Sequence, residues 1–145
     1  SEDARFFVNG GWLEDYCSAV AQQLKKEGHL YDLAVNVTVR SHPDIKNEID
    51  LAFTAYNQLH LIECKTANLT VSPAYDRQEA HASNVSYKLE TLRDMMGGRF
   101  GKAMLMTFMK LRQEDRSRCD SYNIKVVEGR QLTRLRELLL QWLSH

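Results

Sequence analysis

The sequence predicts an α/β domain with a mixed central sheet flanked by helices on both faces. Three observations carry this: a helical pattern opens the chain, three strand-like segments follow in succession, and helical and strand patterns then alternate, giving the order αβββαβαβα. Adjacent strands close enough for a hairpin imply antiparallel pairing, whereas strand, helix and strand in turn imply a parallel crossover, so one sheet holds both kinds. The 145 residues are 43% hydrophobic and 26% charged, with seven Gly and two Pro. That suits a single domain over 1–145 with enough apolar material for its own core and no need of a disulfide staple.

Each element follows from a local pattern. Over 11–27, Leu13, Tyr16, Cys17, Val20 and Leu24 recur every three or four residues, one face of an amphipathic helix, and Gly28 is suited to end it. Leu33, Val35, Val37 and Val39 then alternate with smaller or polar residues in a β-branched run, predicting a strand with one buried face. Residues 49–56 and 59–66 read as two further strands that turn at Asn57-Gln58. After a loop, 76–96 carries Val85, Leu89, Leu92 and Met96 on one helical stripe and stops at Gly97-Gly98. Residues 103–109 have the length and apolar content of a buried strand. A short helix over 111–119, a short strand over 124–127 and a Leu-rich helix over 131–143 close the chain. Pro43 and Pro73 fall between elements, as loop residues should.

Composition excludes several chemistries. Cys17, Cys64 and Cys119 are an odd number without CxxC or Cys/His spacing, and His29, His42, His60, His81 and His145 are scattered, which argues against a disulfide framework and a zinc site. No phosphate-binding loop is present, so a nucleotide triphosphatase is not expected. No apolar run approaches the ~20 residues of a membrane span, and a cytoplasmic protein without a membrane partner is expected. The net charge is zero, which removes bulk positive charge as a means of holding nucleic acid. Its distribution is uneven: residues 1–66 hold six basic and ten acidic side chains, residues 77–118 nine basic and five acidic. Bringing the two segments together places carboxylates beside cations, as a metal-assisted reaction on a phosphate backbone requires, although ordinary surface clustering would give the same count.

Three ionisable residues interrupt segments patterned for burial: Asp50, Glu63 and Lys65. Such groups cost stability unless paired or used. With Tyr56 paired to Leu59, Asp50 falls opposite Lys65 and Ala52 opposite Glu63, so the three share a face. The other face shows Leu51, Phe53, Ala55, Ile62 and Cys64, broken only by His60, which makes one side core and the other a site. Two neighbouring carboxylates are hard oxygen ligands suited to Mg²⁺ or Mn²⁺, and a lysine beside them can orient a water or offset developing charge. The plain alternative is an Asp50–Lys65 cross-strand ion pair with Glu63 exposed.

Asp50, twelve intervening residues and then Glu63-Cys64-Lys65, in αβββαβ order, resemble the PD-(D/E)xK nuclease superfamily and its restriction-endonuclease-like core. Ile49 stands where that motif is named for Pro. Across most of the chain, Gly11-Trp12-Leu13-Glu14-Asp15-Tyr16, Asn47-Glu48-Ile49-Asp50, Tyr87-Lys88-Leu89-Glu90 and Gly97-Gly98-Arg99-Phe100-Gly101-Lys102 resemble the nuclease domain of CRISPR-associated effectors, in which a separate CARF domain binds cyclic tetra-adenylate and activates the nuclease. The resemblance implies a metal-dependent endonuclease of prokaryotic CRISPR or other anti-phage defence that hydrolyses phosphodiester bonds of nucleic acid, DNA favoured, with single-stranded RNA as the second substrate. It implies Mg²⁺ or Mn²⁺ on Asp50 and Glu63 and catalytic support from Lys65, with Glu14 of the first helix near the metal and Lys88 as an auxiliary basic residue facing the site.

It also implies homodimers for cutting both strands. A cyclic-oligoadenylate-sensing domain is not among these 145 residues, so the chain is expected to be an excised domain or a stand-alone relative. Glu48 shares the parity of Asp50 and reads more simply as a solvated carboxylate. Arg77, Arg93, Arg99 and Lys102, around the second helix and the Gly-rich turn, are expected phosphate contacts; Gly97-Gly98 reads as a helix stop, and Tyr75, Tyr87 and Tyr122 as packing residues rather than base-stacking ones. The competing class is a catalytically inactive nucleic-acid-binding or assembly module of the same fold.

Overall fold

The computed structural model describes residues 11–42, 45–66 and 75–144. The elements are α1 (Gly11–Lys26), β1 (Tyr31–His42), β2 (Ile45–Ala55), β3 (Gln58–Lys65), α2 (Tyr75–Gly97), β4 (Lys102–Thr107), α3 (Gln113–Ser121), β5 (Ile124–Glu128) and α4 (Leu135–Leu143). Short 3₁₀ turns over Gly98–Phe100 and Gly129–Arg134 precede β4 and α4. The strands form one sheet in the order β1-β2-β3-β4-β5, antiparallel from β1 to β3 and parallel from β3 to β5. The mixed sheet and the element order agree with expectation. The loops around Pro43 and Pro73 and the C-terminal His145 lie outside the described residues.

α1 buries Leu13, Cys17, Ala21 and Leu24. It ends on Gly28, whose φ of +84° lets the chain reverse so that the amides of Gly28 and His29 reach the carbonyls of Lys25 (3.0 Å) and Leu24 (2.9 Å). Helices cover both faces. On one, α1 and α4 pack on Leu51, Phe53, Ala55, Ile62, Cys64, Met104 and Met106. On the other, Val85, Leu89 and Leu92 of α2 and Cys119 of α3 pack with Ala52, Leu61, Ala103 and Leu105. The expected division into a core face and a site face is therefore corrected: alternation along β3 and β4 feeds two cores, and only the end of the sheet is left for chemistry.

Four local expectations also change. The hairpin turns at Tyr56-Asn57, both at positive φ (52° and 60°), rather than at Asn57-Gln58, so Ala55 pairs with Gln58 and Leu51 with Ile62. The register moves by two residues, which preserves every side chain's face. β1 is an edge strand, and Val35 is exposed while Leu33, Val37 and Val39 are only half-buried, because they pack at the margins of the two cores. Met96 is exposed and Arg93 is buried in its stead, its guanidinium on the Asn123 carbonyl at 3.1 Å. β4 ends at Thr107, leaving Phe108 and Met109 in the open. Among the described residues no helix is long and apolar enough to cross a membrane.

Candidate active site

The β2–β3 ladder stops at Leu51 and Ile62. Beyond that point β2 pairs only with β1, while Glu63, Cys64 and Lys65 pair with Leu105, Met106 and Thr107 of β4. The strands therefore part and leave a notch at the sheet's end. The freed backbone donors need partners. Asp50 supplies one: its Oδ2 accepts the Cys64 amide at 2.7 Å, so its side chain replaces the missing strand carbonyl and ties the first acid to the second strand. Continuing the observed register sets Asp50 across from Glu63 rather than from Lys65, and the two carboxyl groups interact directly.

Each helix layer sends one residue into the notch. From the α2 side, Lys88 Nζ lies 2.6 Å from Glu63 Oε2. The short contact makes Lys88 the charge partner of this buried oxygen. From the α1 side, Glu14 meets Asp50, with the Lys65 ammonium near enough to act on its carboxyl. Glu63 is the deepest member, 3% exposed. Burial pushes its carboxyl up to about 8, the neighbouring Asp50 adds to the rise, and Lys88 opposes it. Glu14 is also raised, first by burial and then by Asp50. The notch thus crowds three acids and two amines at a place where the acids resist ionising together.

All five residues expected at the site, Glu14, Asp50, Glu63, Lys65 and Lys88, are brought together. The alternative Asp50–Lys65 ion pair is not formed among the described residues, and Glu63 is buried rather than exposed. Glu48 is exposed, opposite Thr38 of the outer strand. Of the four expected phosphate contacts, Arg93 is engaged with Asn123, and Lys102 donates to the Trp142 carbonyl at 2.8 Å near the end of α4. The side chains of Arg77 and Arg99 lie outside the described residues, as does that of Tyr75. Gly97 and Gly101 are packing glycines: a Cβ on Gly101 would meet Arg93 Cγ at 2.9 Å, and one on Gly97 would meet Leu59 at 3.3 Å. Tyr122 packs against a core cluster, whereas Tyr87 is exposed.

Sequence patterns did not reveal the support beneath the site. Cys64, between Glu63 and Lys65, is buried against Cys17 of α1, and that contact together with burial raises its thiol well above the ordinary value, so it packs as a neutral apolar group. Cys17 lies one turn beyond Glu14, and this packing fixes the helix that carries Glu14 to the strand that carries Glu63. The spacing Glu14 to Cys17 on one helix was the available signal, but a lone buried Cys looks like any other core residue. Two clefts lie elsewhere: one of about 500 Å³ beside β5, lined by Lys102, Arg116 and Lys125, and one of about 670 Å³ near the hairpin turn, lined by His29, Tyr31 and Tyr56. Neither includes a residue of the acidic notch.

A mixed five-stranded sheet between helical layers, with an acid and amine cluster where its second and third strands part, is a nuclease-like α/β domain. The chain belongs to the Card1-like endonuclease domain family, whose model matches residues 1–145, and this bears out the kinship that the motifs suggested. Two solved structures are similar over nearly the whole chain. Can2 from Sulfobacillus thermosulfidooxidans, determined in complex with cyclic tetra-adenylate, is 29% identical with a TM-score of 0.81 over 100% of this chain and 39% of its own. Protein VC1899 from Vibrio cholerae is 34% identical with a TM-score of 0.80 over 99% of this chain and 36% of its own. The chain thus spans less than two-fifths of either. No match was found among curated proteins.

Proposed function

We propose that the chain is a metal-dependent endonuclease domain of the PD-(D/E)xK type that hydrolyses phosphodiester bonds of nucleic acid in prokaryotic CRISPR or other anti-phage defence, DNA favoured and single-stranded RNA second. The observation that carries the reading is the convergence of Asp50, Glu63, Lys65, Glu14 and Lys88 from two strands and two helix layers on one notch. The notch lies at an open end of the sheet, which suits a polymer better than an enclosed small molecule.

The donor set fits a hard divalent cation. Glu63 is buried with Lys88 at 2.6 Å, and its protonation is favoured by a second acid beside it, a conflict that positive charge between the two relieves. Among the described residues no three His, Cys, Asp or Glu side chains are arranged to hold an ion by themselves. That suits Mg²⁺ or Mn²⁺, which take one or two carboxylates and leave other positions to water and phosphate oxygens. Asp50 and Glu63 are the ligands in this reading. Bound there, the cation supplies acidified water and neutralisation of charge on the phosphate.

The chain's own residues do the rest. The Cys64 amide fixes the orientation of Asp50. Lys65, at the solvent end of β3, orients the attacking water and offsets charge as the phosphorus gains a fifth oxygen. Lys88 holds Glu63 in the notch, and Glu14, beside Asp50 on the α1 side, is placed to take up a proton there. Because the two solved relatives are more than twice as long as this chain, and one was determined with cyclic tetra-adenylate, we assign control of the nuclease to a cyclic-oligoadenylate-sensing domain outside these residues and double-strand cleavage to a homodimer.

Glu63→Ala and Lys65→Ala should each abolish cleavage in Mg²⁺ or Mn²⁺ while melting as folded proteins, measured by gel assay on single- and double-stranded DNA and RNA. Unchanged cleavage by both variants would end the assignment. Titration with Mn²⁺ tests the inert-module alternative, since carboxylate-dependent binding that disappears in Glu63→Ala is expected only of the nuclease.

A further inference from the structure

We infer that Phe108 is a base-stacking platform beside the cleavage site, gripping an unpaired nucleobase close to the scissile phosphate; this rests on the nuclease reading. The parallel pairing of β3 and β4 runs to Lys65 and Thr107, and the Phe108 amide extends it by donating to the Lys65 carbonyl at 3.2 Å. Phe108 is therefore fixed one strand away from the proposed catalytic lysine. Thr107 turns inward, 1% exposed, and its hydroxyl closes the bend by donating to the Met109 carbonyl at 2.8 Å. The pleat then sends Phe108 to the opposite side of the sheet from Lys65 and Glu63, the side of α1.

There its ring meets Trp12 edge to face, with centroids 5.3 Å apart and planes at 85°. A perpendicular contact covers at most one face of the Phe108 ring, and the side chain is 49% exposed with Met109 beside it at 39%. Two adjacent large apolar residues held in the open by backbone and side-chain hydrogen bonds are costly unless something covers them. Trp12 lies in the same first turn of α1 as Glu14, so the ledge borders the notch on the Glu14 side, while Lys88 borders it from α2. Nucleic acid entering the notch brings π-faces within reach of this ledge. Only an unpaired base can use it, because a base inside a duplex presents its edges and not its faces. The basic excess over 77–118 attracts the phosphate backbone, and stacking adds affinity that does not depend on charge.

The test uses the full chain carrying Glu63→Gln to prevent turnover, with short fluorescent single-stranded DNA and RNA oligonucleotides in Mg²⁺, read by anisotropy. Adding Phe108→Ala should weaken binding by about 5- to 100-fold, Phe108→Leu should fail to restore it and Phe108→Trp should restore it. An abasic residue walked along the oligonucleotide should cost a similar factor at one position with Phe108 present and little in Phe108→Ala. Equal affinity in Phe108→Ala, full rescue by Leu, or an abasic penalty that persists without the ring overturns the ledge while leaving the nuclease standing. The abasic walk with Phe108 intact decides the matter even if the alanine variant folds poorly, since the absence of any position-specific penalty also overturns it. Should the Glu63→Gln chain bind neither polymer and the natural sequence cut neither, the nuclease reading falls as well.

Discussion

Glu63 sets the terms for the residues around it. It lies 3% exposed, next to a second carboxyl, and its pKa of about 8 stands well above its ordinary 4.5. Protonated Glu63 is therefore favoured by folding. The corresponding stability is complete below about 4.5 and is lost as pH rises through about 8, because the folded chain must then carry two crowded negative charges. An amide does not ionise. Glu63→Gln in metal-free buffer should melt higher than the natural sequence, with the difference in Tm widening from pH 5 to pH 8. A variant that melts lower at pH 8, or a pH-independent difference, would show that the acidic notch is not a stored conflict awaiting a cation. Asp50, Glu63 and Lys65 stand out in the sequence because charges in strand-patterned segments cost stability unless they are paired or used, and a single cross-strand pair leaves the third charge unexplained. Their arrangement does not. That Asp50 bonds the Cys64 amide depends on where two strands separate, which hydrophobic alternation does not record.

At the scale of elements, the β2–β3 hairpin shows why faces are more legible than partners. Alternation has a period of two, so an error of two residues leaves every side chain on its proper face and exchanges only who stands opposite whom. Asn57-Gln58 is the expected turn because it separates two strand-patterned segments, whereas the turn in fact uses Tyr56 and Asn57 at 52° and 60°. Tyrosine is an unfavourable occupant of that conformation, and here it is exposed. Changing Tyr56-Asn57 to Asn-Gly should stabilise the fold by on the order of 0.5–1 kcal/mol and leave cleavage unaltered, since the turn lies at the other end of the strands from the notch. A fall in Tm would mean that Tyr56 contributes something beyond the bend. β4 offers a second case. Phe108 and Met109 extend an apolar run that reads as strand, and only tertiary structure places the boundary at Thr107 and turns two expected core residues into surface.

The whole molecule is a sheet with a core on each face, and the two helix layers must keep their spacing for Glu14 and Lys88 to meet in one notch. α4 and the 3₁₀ turn before it secure the α1 layer: Arg136 grips Glu27 through two hydrogen bonds of 2.8 and 2.6 Å, the Tyr16 hydroxyl donates to the Leu132 carbonyl at 2.8 Å, and Trp142 packs on the sheet. Beneath Trp142 sits the one imidazole buried in this core among the described residues. His60 stacks on Phe53 with centroids 5.2 Å apart, meets Trp142 edge-on at 4.8 Å, bonds only the Gln58 carbonyl through Nδ1 and leaves Nε2 without a partner. Burial depresses its pKa from 6.5 to about 4, the Gln58 carbonyl opposes that, and the Lys102 ammonium lowers it further. Folding therefore requires the neutral ring. Its full contribution is present above about 6.5 and is lost as pH falls through about 4, where the unfolded chain binds a proton that the folded chain refuses; the loss at pH 4 is about 3 kcal/mol. His60→Leu gives up one hydrogen bond, costing about 1 kcal/mol at pH 7.5, but removes the titration. Denaturant unfolding from pH 7.5 to pH 4 should show the natural sequence losing stability faster than His60→Leu, with the two curves crossing between. Parallel curves over that range would mean that the imidazole takes up its proton within the folded core, and the tight seat of α4 on the sheet would need another explanation.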